Sequence, residues 1–391
     1  MLQITPDLED DPGARATIEI AAALVRVGAQ ALVAARGGRL VPELQARGGL
    51  FTPFPADAAN PLSLVLNVRR LARLARTERV DLVHARSRGA AWSARGATRL
   101  VKIPFVTSFQ SAYARGGPLA LRYGSVMAEG DAVIVGSTAA AQELARLYPA
   151  AARRAHVVVG GVDCRQFSPR GVAPLRVQAA RRLWEAPPDA RLALVAARDA
   201  EDARPALSAF RRLAEAGDPC LAGVRIVLVL EGADAGLRAQ AALKAAGLQG
   251  AGRGAALGDD RPAALLAAAA VVTATRDLEA YCALALEAEA MGAAVLTAGD
   301  GAAAESILAP PETDAARRTG WRVPLDDADG FAAALREALS LGASARDRLS
   351  LRARAHVETR FSMERMWTQT LDAYASALAL HEAAQASARR R

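Results

Sequence analysis

Aromatic residues make up only 4% of this 391-residue chain. With no basic stretch interleaved with aromatics, it lacks the stacking platform used to hold nucleic acid, so nucleic acid is not expected as a partner. Cysteine is scarce as well: Cys164, Cys220 and Cys282 lie far apart in sequence. That spacing gives neither a disulfide framework nor a zinc site and points to a reducing compartment. A Gly-rich Walker loop and a Ser-His-Asp order are both missing. No run is long and apolar enough to span a bilayer. Met1 opens on an apolar strand-like run rather than a basic segment with an apolar core, so we expect no secretory leader and a cytoplasmic location.

What the chain does have is length, apolar content and arginine. Its length exceeds what one core usually serves, and 52% hydrophobic residues are enough to fill two. The formal charge of +8 comes mainly from arginine and suits an anionic surface, so peripheral contact with the inner membrane face is included among the expected partners. The best basic stretch is PLSLVLNVRRLARLARTER, an amphipathic pattern bearing Arg69, Arg70, Arg73, Arg76 and Arg79. Its apolar side should pack on a sheet, leaving the arginines to water or to lipid headgroups.

Short β-branched runs alternate with helical patterns along most of the chain. MLQIT, QALVAAR, VDLVHA, IPFVTSF, DAVIVGS and HVVVGGVD are strands of the first half; RLALVAAR, VRIVLVLEG, AAVVTAT and AAVLTAG are strands of the second. Such alternation predicts two parallel, doubly wound α/β sheets. The seam falls in GGVDCRQFSPRG, and after TGWRVPLDDADG the chain reads as wholly helical. The predicted domains are 1–162, 163–360 and a closing helix over 361–391 that crosses back to the first domain, ending in a frayed basic tail. A ligand site is expected in the cleft between the two domains. The pairs Asp259-Asp260 and Asp326-Asp327 lie beside glycine or proline and read as turn and cap residues before metal ligands.

The segment with most chemical content is TATRDLEAYCALALEAEAMGAAVLTAGDGAAAES, in which seven residues separate Glu279 from Glu287. A helix starting near Tyr281 presents free N–H groups and the positive end of its dipole, which favour a diphosphate. Eight residues of helix rise about 12 Å. Glu287 is thereby placed to reach a ribose while Glu279, in the turn, stands near a hexose.

With this pair, Gly161–Asp163 followed by Phe167 and Pro169, VPLDD after Gly320, and the ending FSMERMWTQTLDAY, the chain resembles the family 4 retaining glycosyltransferases. DLVHARSRGAAWSA is similar to a bacterial envelope-glycan subgroup. The resemblance implies the GT-B architecture, two Rossmann-like domains facing across a cleft. It implies transfer of a sugar from a nucleotide diphosphate sugar to an envelope polysaccharide or lipid-linked acceptor, with no permanently bound cofactor and no metal. By the same resemblance Glu287 holds the ribose hydroxyls, and Cys282, Ala283 and Leu284 cup the diphosphate. Glu279 lies beside the transferred sugar, Arg198 neutralises donor phosphate, and Gly301 with Glu305 forms a glycine-rich turn and its following glutamate.

Several positions depart from the family pattern. Asp11 and Pro12 replace a phosphate-facing glycine pair, with Gly13 one position late, and the acidic run Glu9, Asp10, Asp11 opposes a diphosphate. Ala203 stands where a lysine is usual, with Arg204 beside it as the substitute. Gln110, followed by Ser111, occupies the place of a histidine and carries no proton at neutral pH. Cys282 and Ala197 add side chains where glycine is usual. In LQGAGRGAALGDDRP no β-branched strand is visible. His84 and Arg86 sit where acceptor contacts are implied, although a strand-end histidine is also a common buried hydrogen-bonding residue. The alternative reading is a relative that no longer transfers sugar and serves as a sugar-nucleotide sensor or partner subunit. An epimerase or phosphorylase of the same fold is the third.

Overall fold

In the computed structural model, residues 1–9, 11–56, 60–110 and 117–389 are described; Asp10, Ser111 and the last two arginines of the tail lie outside them. The chain forms two compact units, Met1–Gly160 together with Met363–Arg391, and Gly161–Ser362.

The first unit holds a parallel sheet of β1 (Leu2–Ile4), β2 (Leu32–Ala35), β3 (Leu50–Pro53), β4 (Val83–Ala85), β5 (Phe105–Ser108), β6 (Ala132–Val135) and β7 (Ala155–Val157), in the order β3-β2-β1-β4-β5-β6-β7. The order reverses between β1 and β4, the mark of a doubly wound sheet. Alternate residues along a strand serve opposite faces. Ala34 packs with Ile4, Leu71 and Ala94 on one face, whereas Val33 packs with Ile18, Ala21 and Ala373 on the other. The closing helix Met363–Arg389 is part of that second face: Ala373, Tyr374 and Ala377 are buried in it.

The second unit repeats the scheme with β8 (Arg191–Ala197), β9 (Val224–Val229), β10 (Gly252–Gly254), β11 (Ala268–Ala274), β12 (Ala294–Ala298) and β13 (Trp321–Val323), all parallel, in the order β10-β9-β8-β11-β12-β13. Here the reversal lies between β8 and β11. Both doubly wound parallel sheets expected from the sequence are thus present.

Three strands escaped the sequence reading. β3 is one. β10 lies inside LQGAGRGAALGDDRP, where no strand was visible; it is a Gly-Arg-Gly edge paired to β9. Its glycines admit a close neighbour, because a Cβ on Gly254 would stand 2.5 Å from Gly236 O and 2.6 Å from Gln240 N in the helix Ala235–Ala245. β13 lies within TGWRVPLDDADG, just ahead of the stretch read as helical, and pairs with β12 through Trp321 and Val323. One aspartate of each pair acts as a cap: Asp260 accepts from Ala263 N (3.2 Å) and Asp327 from Gly330 N (2.8 Å).

Candidate active site

In the second unit the carboxyl ends of β8 and β11 flank the point where strand order reverses, the place where open α/β sheets bind ligands. Arg198 follows β8 directly. Its Nη2 lies 3.4 Å from Asp202 Oδ2 and its Nε 3.3 Å from Asp199 Oδ2. Burial pulls the guanidinium pKa down, but Asp202, Asp199 and Asp277 together outweigh it and raise the value, so this cation is ringed by carboxylates. Asp199 also caps the helix Ala200–Glu215, accepting from Glu201 N (3.0 Å) and Asp202 N (2.9 Å).

After β11 the chain makes a tight loop. Thr275 Oγ1 donates to the buried Asp202 (3.4 Å) and accepts from Asp277 N (2.9 Å), and Asp277 Oδ1 accepts from Glu279 N (3.1 Å). The loop after β12 packs against this one through glycine. A Cβ on Gly301 would come 2.5 Å from Leu278 O, and Gly299, at φ +122°, would meet Thr275 O at 2.5 Å. Ala302 N donates to Leu278 O (2.6 Å). Gly301 is therefore required by the closeness of two backbones.

The helix Cys282–Ala290 begins with Tyr281 in the left-handed conformation (φ +59°) and no side-chain cap. Its first N–H groups, on Cys282, Ala283 and Leu284, are thus not taken by a capping side chain. The Tyr281 hydroxyl is raised in pKa first by burial and then by Glu231 and Asp202, with Arg198 opposing. That places the helix start among residues from the ends of β8 and β9. The Cys282 thiol is buried and pushed up to about 12, by burial first and then by Glu305, Glu289 and Glu279. It is a protonated thiol with three carboxyl groups around it, so it carries no nucleophilic role at neutral pH.

Glu287, one helical face further on, is 8% exposed and forms an ion pair with Arg261, the residue after the Asp260 cap. Glu289 on the same helix is fully buried, and burial pushes its carboxyl well above the ordinary range, an effect that the nearby Thr319 hydroxyl offsets only in part. Among the described residues, no three His, Cys, Asp or Glu side chains converge as metal ligands.

Of the residues singled out from sequence, Glu279, Cys282 and Glu305 gather in one place, with Gly301 packed on the adjoining loop. Arg198 stands with the start of the same helix. Arg204 does not join them: it is exposed and pairs with Glu201 at 3.3 Å, while the preceding Ala203 is buried in the core. Gln110 and Gly13 belong to the first unit. Gln110 is exposed just past β5. Gly13 lies inside the helix Pro12–Arg26, and its N–H, expected to face phosphate, donates to Asp11 Oδ1 (2.7 Å), as does that of Ala14 (3.0 Å). Asp11 is thus an N-cap, a role its side chain fills well.

Sequence reasoning took Tyr281 only as the start of a helix, with no part for its side chain, and passed over Asp202 and Arg261. Asp202 had a signal, a carboxylate in the first turn of the helix that follows Arg198, four residues on from it. A tyrosine in a left-handed cap has none. His84 is fully buried in the first unit, with Nδ1 2.8 Å from Tyr374 Oη and Nε2 2.8 Å from Ser108 Oγ. Burial, then Arg86, holds its pKa well below 6.5.

Comparison with known proteins follows this geometry. Residues 13–166 match the family described as Glycosyltransferase Family 4. The whole chain superposes on a glycosyltransferase from Rickettsia africae ESF-5 with a TM-score of 0.82, 23% identity and coverage of 96% of this chain and 98% of that one. It also superposes on Anabaena HepE, solved with UDP and glucose (TM-score 0.77, 16% identity, 96% and 99% covered). A third neighbour is WaaG, a glycosyltransferase involved in lipopolysaccharide biosynthesis (TM-score 0.66, 14% identity, 92% and 95% covered). A search of the curated proteins finds none that matches. The fold these neighbours share with the chain is GT-B, two doubly wound α/β units. The likeness to Glycosyltransferase Family 4 lies in the matched segment of its first unit, residues 13–166.

Proposed function

We propose that the protein is a retaining glycosyltransferase that takes a nucleotide diphosphate sugar at the carboxyl ends of β8 and β11. The observation that carries the reading is the convergence of Arg198 with a helix N-terminus that has no side-chain cap, beside Glu279 and Glu305. In this reading the N–H groups of Cys282, Ala283 and Leu284 receive the diphosphate, and Glu287, steadied by Arg261, accepts the ribose hydroxyls. Glu279 and Glu305 flank the sugar. As the bond from the sugar C1 to the diphosphate oxygen breaks, the acceptor hydroxyl bonds to C1 on the same face and passes its proton to that departing oxygen. Arg198 then opposes the charge that the departing diphosphate gains. Arg204, tied to Glu201 on the outer side, has no part in this step.

HepE has been solved with UDP-glucose, which makes UDP-glucose the first donor to try. For the acceptor, the envelope-like first-domain motif and the likeness to WaaG support a lipid-linked or polysaccharide glycan. One observation favours the non-transferring alternative: the Gly13 and Ala14 amides, whose family counterparts approach phosphate, are satisfied by Asp11. A panel of nucleotide sugars headed by UDP-glucose, read by thermal shift and by release of nucleoside diphosphate, separates the readings. Transfer is expected to show binding with turnover, and Arg198→Ala is expected to lower turnover about a hundredfold. Binding without turnover on any acceptor or water supports the sensor, and no binding at all defeats both.

A further inference from the structure

We infer that the helix Pro61–Thr77 of the first unit is a docking surface for an anionic lipid bilayer, an inference that stands independently of the sugar-transfer reading. Asn60 starts this helix by accepting from Ser63 N (2.8 Å). Its inner side buries Asn67, Leu71, Ala72 and Ala75, with Val68 set tightly against Gly96 of the neighbouring helix, where an added Cβ would come within 2.5 Å of Val68 Cγ2. The outer side is one continuous stripe at helical spacing: Leu62, Val65, Leu66, Arg69, Arg70, Arg73 and Arg76, all exposed.

The stripe divides by chemistry along its length. Leu62, Val65 and Leu66 are 72%, 55% and 42% exposed; they form an apolar first turn open to solvent. The rest is arginine, and Arg69, Arg70 and Arg73 have no carboxylate within ion-pair distance among the described residues. Arg76 donates to Leu100 O (3.5 Å), which brings another exposed apolar side chain (55%) beside the cationic end.

An apolar turn continuous with a run of arginines matches a layer that offers phosphates at its surface and hydrocarbon just beneath. A soluble polyanion would use the arginines and leave the leucines in water. A second copy of the same stripe would set arginine against arginine. The sequence pattern alone assigned the apolar residues of this helix to packing; the structure divides them, burying Leu71 and leaving Leu62, Val65 and Leu66 outside.

The test uses the full chain with phosphatidylcholine vesicles, with and without phosphatidylglycerol, in a co-flotation assay. The protein is expected to float with the phosphatidylglycerol vesicles and not with phosphatidylcholine alone. Replacing Arg69, Arg70 and Arg73 together by Gln is expected to weaken binding about a hundredfold, roughly fivefold for each cation. In a Leu62→Trp variant the emission of the introduced indole is expected to shift to the blue on adding the anionic vesicles, because that turn enters the hydrocarbon edge. All these side chains are exposed, so thermal unfolding of the variants should match the wild type and certify their fold. Vesicle binding that survives the triple arginine change overturns the inference, as does an unshifted indole emission in the vesicle-bound Leu62→Trp variant. Equal binding by wild type and a Leu62→Ser, Val65→Ser, Leu66→Ser variant, abolished by soluble polyphosphate, would show a polyanion or acidic-protein site instead and likewise overturn it.

Discussion

Replacing Glu289 by Gln removes one ionisable group from the centre of the second unit while keeping side-chain shape. The carboxyl is fully buried on the helix that starts at Cys282, and burial raises its pKa well above 4.5, the value it takes in the unfolded chain. Between those two values the folded protein holds a proton that the unfolded chain has released. Stability therefore falls as pH rises: the contribution is complete below pH 4.5 and is lost at about 1.4 kcal/mol per pH unit until the folded value is reached. For a unit of about 200 residues, 1 kcal/mol moves Tm by about 3 °C, so the slope is about 4 °C per pH unit. Glutamine has no such proton. Thermal unfolding of wild type and Glu289→Gln, followed from pH 4.5 upward, should show the variant gaining on the wild type by that amount per unit in the transition of the second unit. Two melting curves that stay parallel with pH would refute the argument, since they would mean that the carboxyl is either solvated or paired in the folded state.

His84 works with the opposite sign in the first unit. Its folded pKa lies below 6.5, so its contribution is present above pH 6.5 and lost as pH falls; His84→Gln should flatten the acid side of that unit's melting profile. Tyr374→Phe leaves the buried imidazole one hydrogen bond short and should cost about 1–3 kcal/mol, measured by urea unfolding. Gly301→Ala forces a Cβ against Leu278 O and should destabilise the second unit by about 1–3 kcal/mol while weakening UDP-glucose binding, seen by calorimetry. Glu287→Gln should raise the Kd for UDP-glucose at least about tenfold. The same change should shift stability by no more than about 1 kcal/mol, because Arg261 retains access to water; an unchanged Kd would rule out the ribose role.

The two sheets were legible because their central strands are uninterrupted apolar runs, such as Leu192–Ala197 and Ala132–Val135, buried on both faces. Of the four edge strands only β7 was read, from HVVVGGVD, and the other three were not: β10 is Gly-Arg-Gly, held by its pairing with β9 and by a helix that its glycines let approach. At the site, the helix start near Tyr281 followed from the local pattern. The direction of Arg204 did not, because one residue of helix turns a side chain by about 100°, and only packing of Ala203 into the core decides which of the two faces inward. Asp11 was visible as an acidic residue where the family resemblance implies a phosphate-facing glycine. Its role as a cap depends on backbone geometry that residue identity alone does not give.

The closing helix gives the first unit a peculiar order of assembly. This unit is assembled from residues 1–160 and from 363 onward, with all of the second unit spliced between them. Ala373, Tyr374 and Ala377 fill a face of the first sheet beside Ile18 and Val33, so that face stays open to water until the last helix arrives. On the ribosome the second unit has its whole sequence available first, and the first unit is completed only once the stretch after Ser362 has been made. The domain begun first is thus the one finished last, and a truncation after Ser362 strips its core while leaving the second unit's sequence whole.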